Sequence, residues 1–229
     1  RRRLLDGPRA IADGSRRSVI FDADTRTSPE PIPFPKRQRS PDISSVGEKI
    51  VLRRSWTISS MDRDGSNAVN LTPYGREWYD PRWSPDGRKI ALCADNRDLA
   101  EIYVMDHDGG NLRNITWTAR SNERSPDWSP DGAKLCFISD RNGKFELFTM
   151  NAADGTEKGK VEVNNPIAST VAARNGIAVV GHYGNEIIAV DTATLKPKWT
   201  YQDRDFPFFS SPAITAGGQV FAGDRGKRM

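Results

Sequence analysis

The sequence predicts an all-β fold, a β-propeller of four-stranded antiparallel blades, about five to six in number. The first observation is a strand–turn–strand–turn–strand pattern that fills residues 81–116. The second is that this pattern recurs along the chain. A single sheet of this kind cannot bury both of its faces, so it must stack against copies of itself.

The central copy shows how each element is specified. Ser-Pro-Asp-Gly at residues 84–87 predicts a turn, because proline presets φ and glycine accepts a positive φ. The apolar run 88–94 predicts a strand, and residues 101–106 predict the next one. Residues 114–116 predict a further strand, and one before the turn completes a four-stranded blade.

Three landmarks recur in step along the chain. The opening of the blade, with proline first, starts at Pro41, Pro81 and Pro126. A turn related to Met-Asp-x-Asp-Gly follows at residues 61–65, 105–109 and 150–155. Asn-Leu-Thr or Asn-Ile-Thr then follows in the first two copies. This agreement predicts a repeat protein.

Residues 1–37 form the first predicted region. Residues 8–22 predict two short strands around an Asp13-Gly14 turn, which would be a degenerate first blade or strands that close the ring. Residues 28–35 have proline at every second position, which excludes ladder strands and predicts an extended linker. A docking segment in the polyproline II conformation is the alternative.

A different repeat follows residue 162. Residues 169–199 predict a strand, a turn, a second strand and a third element that ends at Trp199. Ile-Ile-Ala-Val-Asp at residues 187–191 is its most apolar part, and a second, partial copy begins at Ser211.

Both repeats resemble known families. The pattern P-x-W-S-P-D-G-x-x-I, then I-Y-x-M-D-x-D-G, then L-T resembles the PD40 repeats of TolB-type propellers, over about residues 38–156. The repeat with Asp191 and Trp199 resembles those of PQQ-like propellers, the group of the outer-membrane assembly lipoprotein BamB. These resemblances imply TolB-like blades at 38–162 and PQQ-like blades at 163–229 in one propeller. A natural hybrid, an engineered or recombined chimera, and a fragment completed by oligomeric closure all remain open.

Composition limits the function classes. The net charge is +4, and much of it lies in basic clusters near the two ends. A nucleic-acid-binding surface would have its basic residues on one face with stacking aromatic residues between them, so the sequence argues against nucleic-acid binding. No apolar run is long enough to span a bilayer, and no signal peptide is visible. Cys93 and Cys136 lie within apolar strand runs and are predicted to be buried free thiols.

No motif for catalysis is present. His107 and His182 lie near turns, without the spacing of a zinc site, and the G-x-S-x-G nucleophile elbow is absent. The Asp-x-Asp-Gly turns at 62–65 and 106–109 lack the remaining ligands of a calcium loop and are explained as Asx-type turns. We therefore predict a non-enzyme with no catalytic residue, no metal and no cofactor, PQQ included.

Five aromatic residues between blades are the candidate partner-binding residues: Trp78, Tyr79, Phe206, Phe208 and Phe209. Loops on a rigid scaffold often carry binding, and aromatic side chains are good anchors. Packing between blades is the alternative role for them.

The predicted function is a non-enzymatic propeller scaffold that binds a protein or peptide. Resemblance to TolB and BamB implies this role and a periplasmic or cell-envelope location. Two alternatives remain: a chimeric propeller without native function, and the accessory propeller of a protease or quinoprotein-like enzyme.

Overall fold

The computed structural model describes residues 9–12, 18–21, 38–44, 47–96, 99–118, 120–161, 163, 165–202, 208, 210–215 and 217–223. Within these residues every regular element is a β-strand. No helix there has the length and apolar character needed to cross a membrane.

The strands form two short pairs and four larger sheets. β1 (Arg9–Ala12) pairs with β2 (Ser18–Phe21), and β19 (Ala213–Ile214) pairs with β20 (Val220–Phe221). The other strands form four-stranded sheets, here called blades 1 to 4. Blade 1 is β3 (Gln38–Ile43), β4 (Lys49–Arg54), β5 (Thr57–Asp62) and β6 (Val69–Asn70). Blade 2 is β7 (Trp78–Trp83), β8 (Lys89–Asn96), β9 (Leu99–Asp106) and β10 (Arg113–Asn114). Blade 3 is β11 (Glu123–Trp128), β12 (Lys134–Ser139), β13 (Glu146–Asn151) and β14 (Glu157–Val161). Blade 4 is β15 (Ala172–Arg174), β16 (Ile177–His182), β17 (Glu186–Asp191) and β18 (Pro197–Gln202).

Each blade is an antiparallel meander whose strands lie in chain order. The first strands of successive blades contact one another, β3 with β7, β7 with β11, β11 with β15, and β15 with β19. They therefore surround a common axis, and the later strands of each blade lie progressively further out. The predicted all-β propeller fold is confirmed, and its blade number agrees with the lower end of the prediction, about five.

The middle strands are apolar on both faces because a neighbouring blade covers each face. β9 is buried continuously from Ala100 to Met105. Between blades 2 and 3, Trp128 packs in one cluster with Phe137 and Phe148, whose stacked rings have centroids 5.7 Å apart. The core consequently lies between blades.

A β-bulge precedes the repeated proline in the first strands of blades 1, 2 and 3. In blades 2 and 3 the residues before that proline, Asp80 and Ser125, have left-handed φ values of 48° and 54°. Bulges of this kind redirect the side chains that follow. Here the residues after the prolines, Arg82 and Asp127, line a cavity on the axis.

The Asp-Gly turns connect neighbouring blades through backbone atoms. Gly109 has φ 90°, and a Cβ atom added to it would lie 2.6 Å from the carbonyl oxygen of Leu71 in the preceding blade. Gly155 has φ 76° and approaches the carbonyl oxygen of Ile115 more closely still. Only glycine combines this φ with this lack of space. The repeated Asp-Gly landmark is thus explained by contact between blades.

Several detailed expectations are also confirmed. β1 and β2 form the strand pair predicted around Asp13-Gly14. Cys93 and Cys136 are buried free thiols, and burial raises the pKa of Cys136 to about 12. The proline-rich segment 28–35 lies outside the described residues.

Candidate partner-binding face

The links between strands emerge at two opposite ends of the propeller. In an antiparallel meander, the link between the second and third strands of a blade lies at the same end as the link to the next blade. We call this end the connection face. The opposite end, which we call the turn face, carries the Ser-Pro-Asp-Gly and Asp-x-Asp-Gly hairpins.

The most exposed aromatic side chains lie on the connection face. Tyr74 is 83% exposed and Trp117 is 80% exposed, each in a link between blades. Trp56 is 61% exposed and Tyr183 is 57% exposed, each in a link between second and third strands. The other large apolar side chains with high exposure lie on strands, at Val69, Trp199, Tyr201 and Phe221. Exposed aromatic surface is therefore concentrated at one end of the molecule.

Two of the sequence-predicted residues, Trp78 and Tyr79, begin strand β7. Trp78 is 1% exposed, and its indole N–H donates to the carbonyl oxygen of Pro73 at 3.0 Å. Its ring meets that of Tyr103 edge-on, with centroids 5.0 Å apart. Tyr79 is half-buried and donates its hydroxyl to Oδ1 of Asp95 at 2.8 Å, and burial raises its pKa. These positions agree with the packing alternative.

Phe208 is also buried, at 4% exposure. It packs against blade 4, and its ring meets that of Tyr201 edge-on at 6.0 Å. The close approach of its backbone to Gly181 leaves no room for a side chain there. Phe206 and Phe209 lie outside the described residues.

Sequence reasoning did not select Tyr74 and Trp117, although a signal was available. Each follows directly on a repeated landmark, Asn-Leu-Thr-Pro before Tyr74 and Asn-Ile-Thr before Trp117. In both copies the threonine hydroxyl accepts an N–H from the neighbouring strand, from Ile58 at 2.9 Å and from Ile102 at 3.0 Å. The landmark fixes the backbone, so the aromatic residue that follows emerges at the same end of each blade.

Buried carboxylates lie beneath the connection face and accept hydrogen bonds from its links. Glu123 has no exposed surface, and its Oε1 accepts hydrogen bonds from the hydroxyls of Ser121 and Ser139, each at 2.8 Å. Arg141 pairs with the same carboxylate at 3.3 Å. Glu101 is 4% exposed, and burial raises its pKa although the Thr116 hydroxyl donates to it at 2.5 Å. These carboxylates hold the links in place and do not reach the surface.

His182 has a structural position in the same region. It is fully buried at the end of β16. The backbone N–H of Gly184 donates to Nδ1 at 3.0 Å, so Nε2 carries the proton and donates to Oε2 of Glu186 at 2.9 Å. The His182 ring thus links the end of β16 to the turn and to the start of β17.

A cavity of about 530 Å³ lies on the axis, lined by the first strands and by turns of the turn face. Asp42, Arg82 and Asp127 line it, one from each of blades 1 to 3. Asp42 accepts the backbone N–H of Trp83 at 2.7 Å, and Asp127 accepts that of Ala173 at 2.6 Å, so each carboxylate binds the next blade. Burial raises the pKa of Asp127 to about 6 and raises that of Asp42, although Arg82 opposes both shifts.

The Asp-x-Asp-Gly turns of the turn face are the predicted Asx-type turns. Asp64 accepts the N–H of Ser66 at 2.9 Å, and Asp108 accepts the N–H of Gly110 at 2.9 Å. The first aspartate of each motif pairs with a lysine, as Asp106 does with Lys89 at 2.8 Å. Among the described residues no group of three or more His, Cys, Asp or Glu side chains is arranged to hold a metal ion.

Stacked four-stranded meanders around a shared axis define this protein as a β-propeller. A sequence profile of the TolB beta propeller domain, PD40, matches residues 74–198, more than half of the chain. The chain belongs to the TolB beta propeller domain family. The match runs across residue 163, where the sequence predicts a change to PQQ-like blades, and that change of repeat type stays a prediction.

Individual relatives match shorter stretches. The Tol-Pal system protein TolB of Hahella chejuensis is 30% identical over 69 residues, which are 30% of this chain and 16% of that protein. The uncharacterized peptidase YuxL of Bacillus subtilis is 50% identical over 38 residues, 16% of this chain and 6% of the peptidase. The crystal structure of TolB from Acinetobacter baumannii has a TM-score of 0.68 at 20% identity, over 89% of this chain and 52% of that one. This chain therefore spans a small part of the curated relatives and about half of the solved TolB chain.

Proposed function

We propose that this protein is a non-enzymatic β-propeller that binds a protein or peptide partner through its connection face, in the periplasm or cell envelope. The observation that carries the proposal is the placement of Trp56, Tyr74, Trp117 and Tyr183 at one end of the propeller. Large exposed aromatic side chains on a rigid scaffold are typical anchors of protein interfaces. The envelope location rests on membership of the TolB family alone.

The packing below the face supports this role. The backbone N–H of Trp78 donates to the carbonyl oxygen of Trp56 at 2.9 Å, so the blade 1 hairpin is attached to the link that carries Tyr74. The Thr118 hydroxyl likewise bonds to the buried Glu123 just after Trp117. Because the backbone is held in this way, the aromatic side chains are presented with little ordering cost on binding.

The test compares two sets of variants in partner capture. Tyr74→Ser with Trp117→Ser removes the most exposed aromatic surface of the connection face. Trp199→Ser removes a 39% exposed aromatic side chain from the outer strand β18 and is the matched control. Immobilised wild-type and variant chains are incubated with a cell-envelope extract, and retained proteins are quantified by mass spectrometry. We expect retention of specific partners to fall about tenfold or more for the double variant and to be unchanged for the control.

Equal retention by all three proteins would mean that the connection face does not bind the partner. The sequence-predicted residues Trp78, Tyr79, Phe206, Phe208 and Phe209 would then be tested next as partner-binding residues. The burial of Trp78 and Phe208 means that their loss would act on folding before it acted on binding.

A second candidate function follows from the similarity to a protein named as a peptidase. The chain would then be the accessory propeller of a protease, and the catalytic residues of that protease would lie in another domain or chain. This candidate predicts that hydrolysis of fluorogenic peptides requires such a domain and that the propeller alters which peptides are cleaved. Hydrolysis by the purified 229-residue chain itself would overturn both candidates.

A further inference from the structure

In the described part of the connection face, the exposed charges have one sign. Among the described residues of its links and adjoining strand ends, the exposed charged side chains are all cationic: Arg54, Arg76, Arg120, Arg124, Lys144 and Lys160. On the turn face, by contrast, exposed aspartates such as Asp86 and Asp131 alternate with lysine and arginine. The two ends of the propeller therefore differ in charge as well as in aromatic content.

Three glutamates of the connection face are turned inward. Glu101, Glu123 and Glu146 are buried and accept hydrogen bonds from neighbouring side chains, such as that of Asn142 to Glu146 at 2.8 Å. Glu77 is half-buried and pairs with Arg53. Because Glu101, Glu123 and Glu146 are buried, the exposed charges that an approaching molecule contacts on the described part of this face are the cations.

The cations also lie close in sequence to the exposed aromatic residues. Arg54 ends the strand that leads to Trp56, and Arg76 follows Tyr74 by two residues. Arg120 follows Trp117 by three residues in the next link. Three of the four exposed aromatic residues, Trp56, Tyr74 and Trp117, thus have an arginine within three positions in the sequence, and Tyr183 is the exception.

We propose that the connection face selects an acidic polypeptide segment, with carboxylates that pair with Arg54 and Arg120 and apolar side chains that contact Tyr74 and Trp117. This inference rests on the proposed function and specifies the chemistry of its partner. Charge complementarity supplies orientation and speed of association, and aromatic contact supplies most of the affinity.

A protein segment fits this surface better than a nucleic acid does. Half-buried Asp95 and Asp140 lie among the links at the same end, accepting hydrogen bonds from Tyr79 and Asn122 respectively. They interrupt the positive charge, whereas a nucleic-acid strand requires a continuous positive track along its backbone. Discrete carboxylates spaced along a peptide can avoid these positions.

The test uses a phage-displayed library of short random peptides, selected on the immobilised full chain. We expect enriched peptides to combine Asp or Glu with aromatic or aliphatic residues. Their affinity should fall about tenfold for Arg54→Glu with Arg120→Glu and should weaken as salt is raised. Arg88→Glu with Lys158→Glu, which reverses two exposed charges outside the connection face, is the matched control and should leave affinity unchanged.

Each other outcome overturns the inference in a distinguishable way. Peptides that require Tyr74 and Trp117 but carry no excess of acidic residues would refute the acidic preference and leave the proposed function standing. Peptides indifferent to both the aromatic and the charge variants would refute the face itself. Tighter binding of single-stranded polyuridine RNA than of any selected peptide, measured by fluorescence anisotropy, would assign the face to nucleic acid instead.

Discussion

Trp128 in blade 3 donates its indole N–H to the backbone carbonyl oxygen of Arg82 in blade 2, at a nitrogen–oxygen distance of 3.0 Å. Trp83 occupies the same repeat position one blade earlier, but its indole nitrogen is buried without a hydrogen-bond partner among the described residues. Both rings are largely buried, at 3% and 8% exposure. Two tryptophans specified by one landmark therefore differ by a single hydrogen bond between blades.

This difference gives a matched pair of variants. Trp128→Phe and Trp83→Phe remove similar volume, but only the first breaks a hydrogen bond and leaves a carbonyl without its donor. We expect Trp128→Phe to lower the free energy of unfolding by about 1–2 kcal/mol more than Trp83→Phe does. Chemical denaturation measures both. Equal losses would mean that the bond between blades 2 and 3 adds nothing to stability.

Buried and exposed aromatic residues at the connection face should respond differently to truncation. Trp78→Ala removes a fully packed side chain and should cost about 3–5 kcal/mol of unfolding free energy. Tyr74→Ser and Trp117→Ser remove exposed rings and should change it by no more than about 0.5 kcal/mol. The measurement is thermal or urea unfolding of each variant. A large loss for Tyr74→Ser would show that its ring packs in solution and is not available to a partner.

Asp127 should make stability depend on pH. An unfolded aspartate titrates near pH 4, about two units below its folded pKa of about 6. Between these values the folded state binds a proton that the unfolded state does not, so the free energy of unfolding falls as pH rises from about 4 to about 6. Asp127→Asn removes this contribution.

The measurement is the urea midpoint of both proteins across that pH range. The wild-type midpoint should fall relative to that of Asp127→Asn as pH rises, and the difference should become constant above about pH 6. Aspartates with lowered pKa values, such as Asp106 beside Lys89, have the opposite sign at lower pH, but they are common to both proteins. A difference that stays constant from about pH 4 to about pH 6 would contradict the raised pKa of Asp127.

Two glycines with similar backbone angles separate conformational strain from crowding. Gly143 has φ 86°, and a Cβ atom added to it would meet no other atom within 4 Å, so Gly143→Ala should cost only about 1–2 kcal/mol for the left-handed conformation. Gly155 has φ 76° but faces the Ile115 carbonyl, so Gly155→Ala should cost a further 1–3 kcal/mol, roughly, for crowding. Denaturant unfolding of the two variants is the comparison. Equal costs would mean that blades 2 and 3 can separate slightly without penalty.

Much of the fold was predictable because its landmarks have local causes. Glycine and proline fix the turns, and apolar runs between them fix the middle strands, so the predicted strands at 88–94 and 101–106 overlap β8 and β9. The third strand of blade 4 was predictable for the same reason, since β17 at Glu186–Asp191 overlaps the apolar run at residues 187–191.

The candidate binding face was less predictable because exposure depends on where the first strand of a blade begins. The repeat pattern starts at Pro81, which suggested that Trp78 and Tyr79 lie in a loop. The bulge at Asp80 lets β7 begin at Trp78, so pairing with β8 buries these residues. The placement of Arg82 and Asp127 at the cavity has the same origin, since each residue follows a bulge at the repeated proline.

The glycine contacts between blades have a consequence for how such chains are assembled from repeats. On one side of the contact lies a backbone carbonyl, of Leu71 or Ile115, and on the other a glycine with no side chain. Neither partner depends on the side chains of the adjoining blade at that point. A gene segment that encodes one blade can therefore be duplicated or exchanged without loss of this glycine–carbonyl contact, provided that the segment also encodes the Asp-Gly turn.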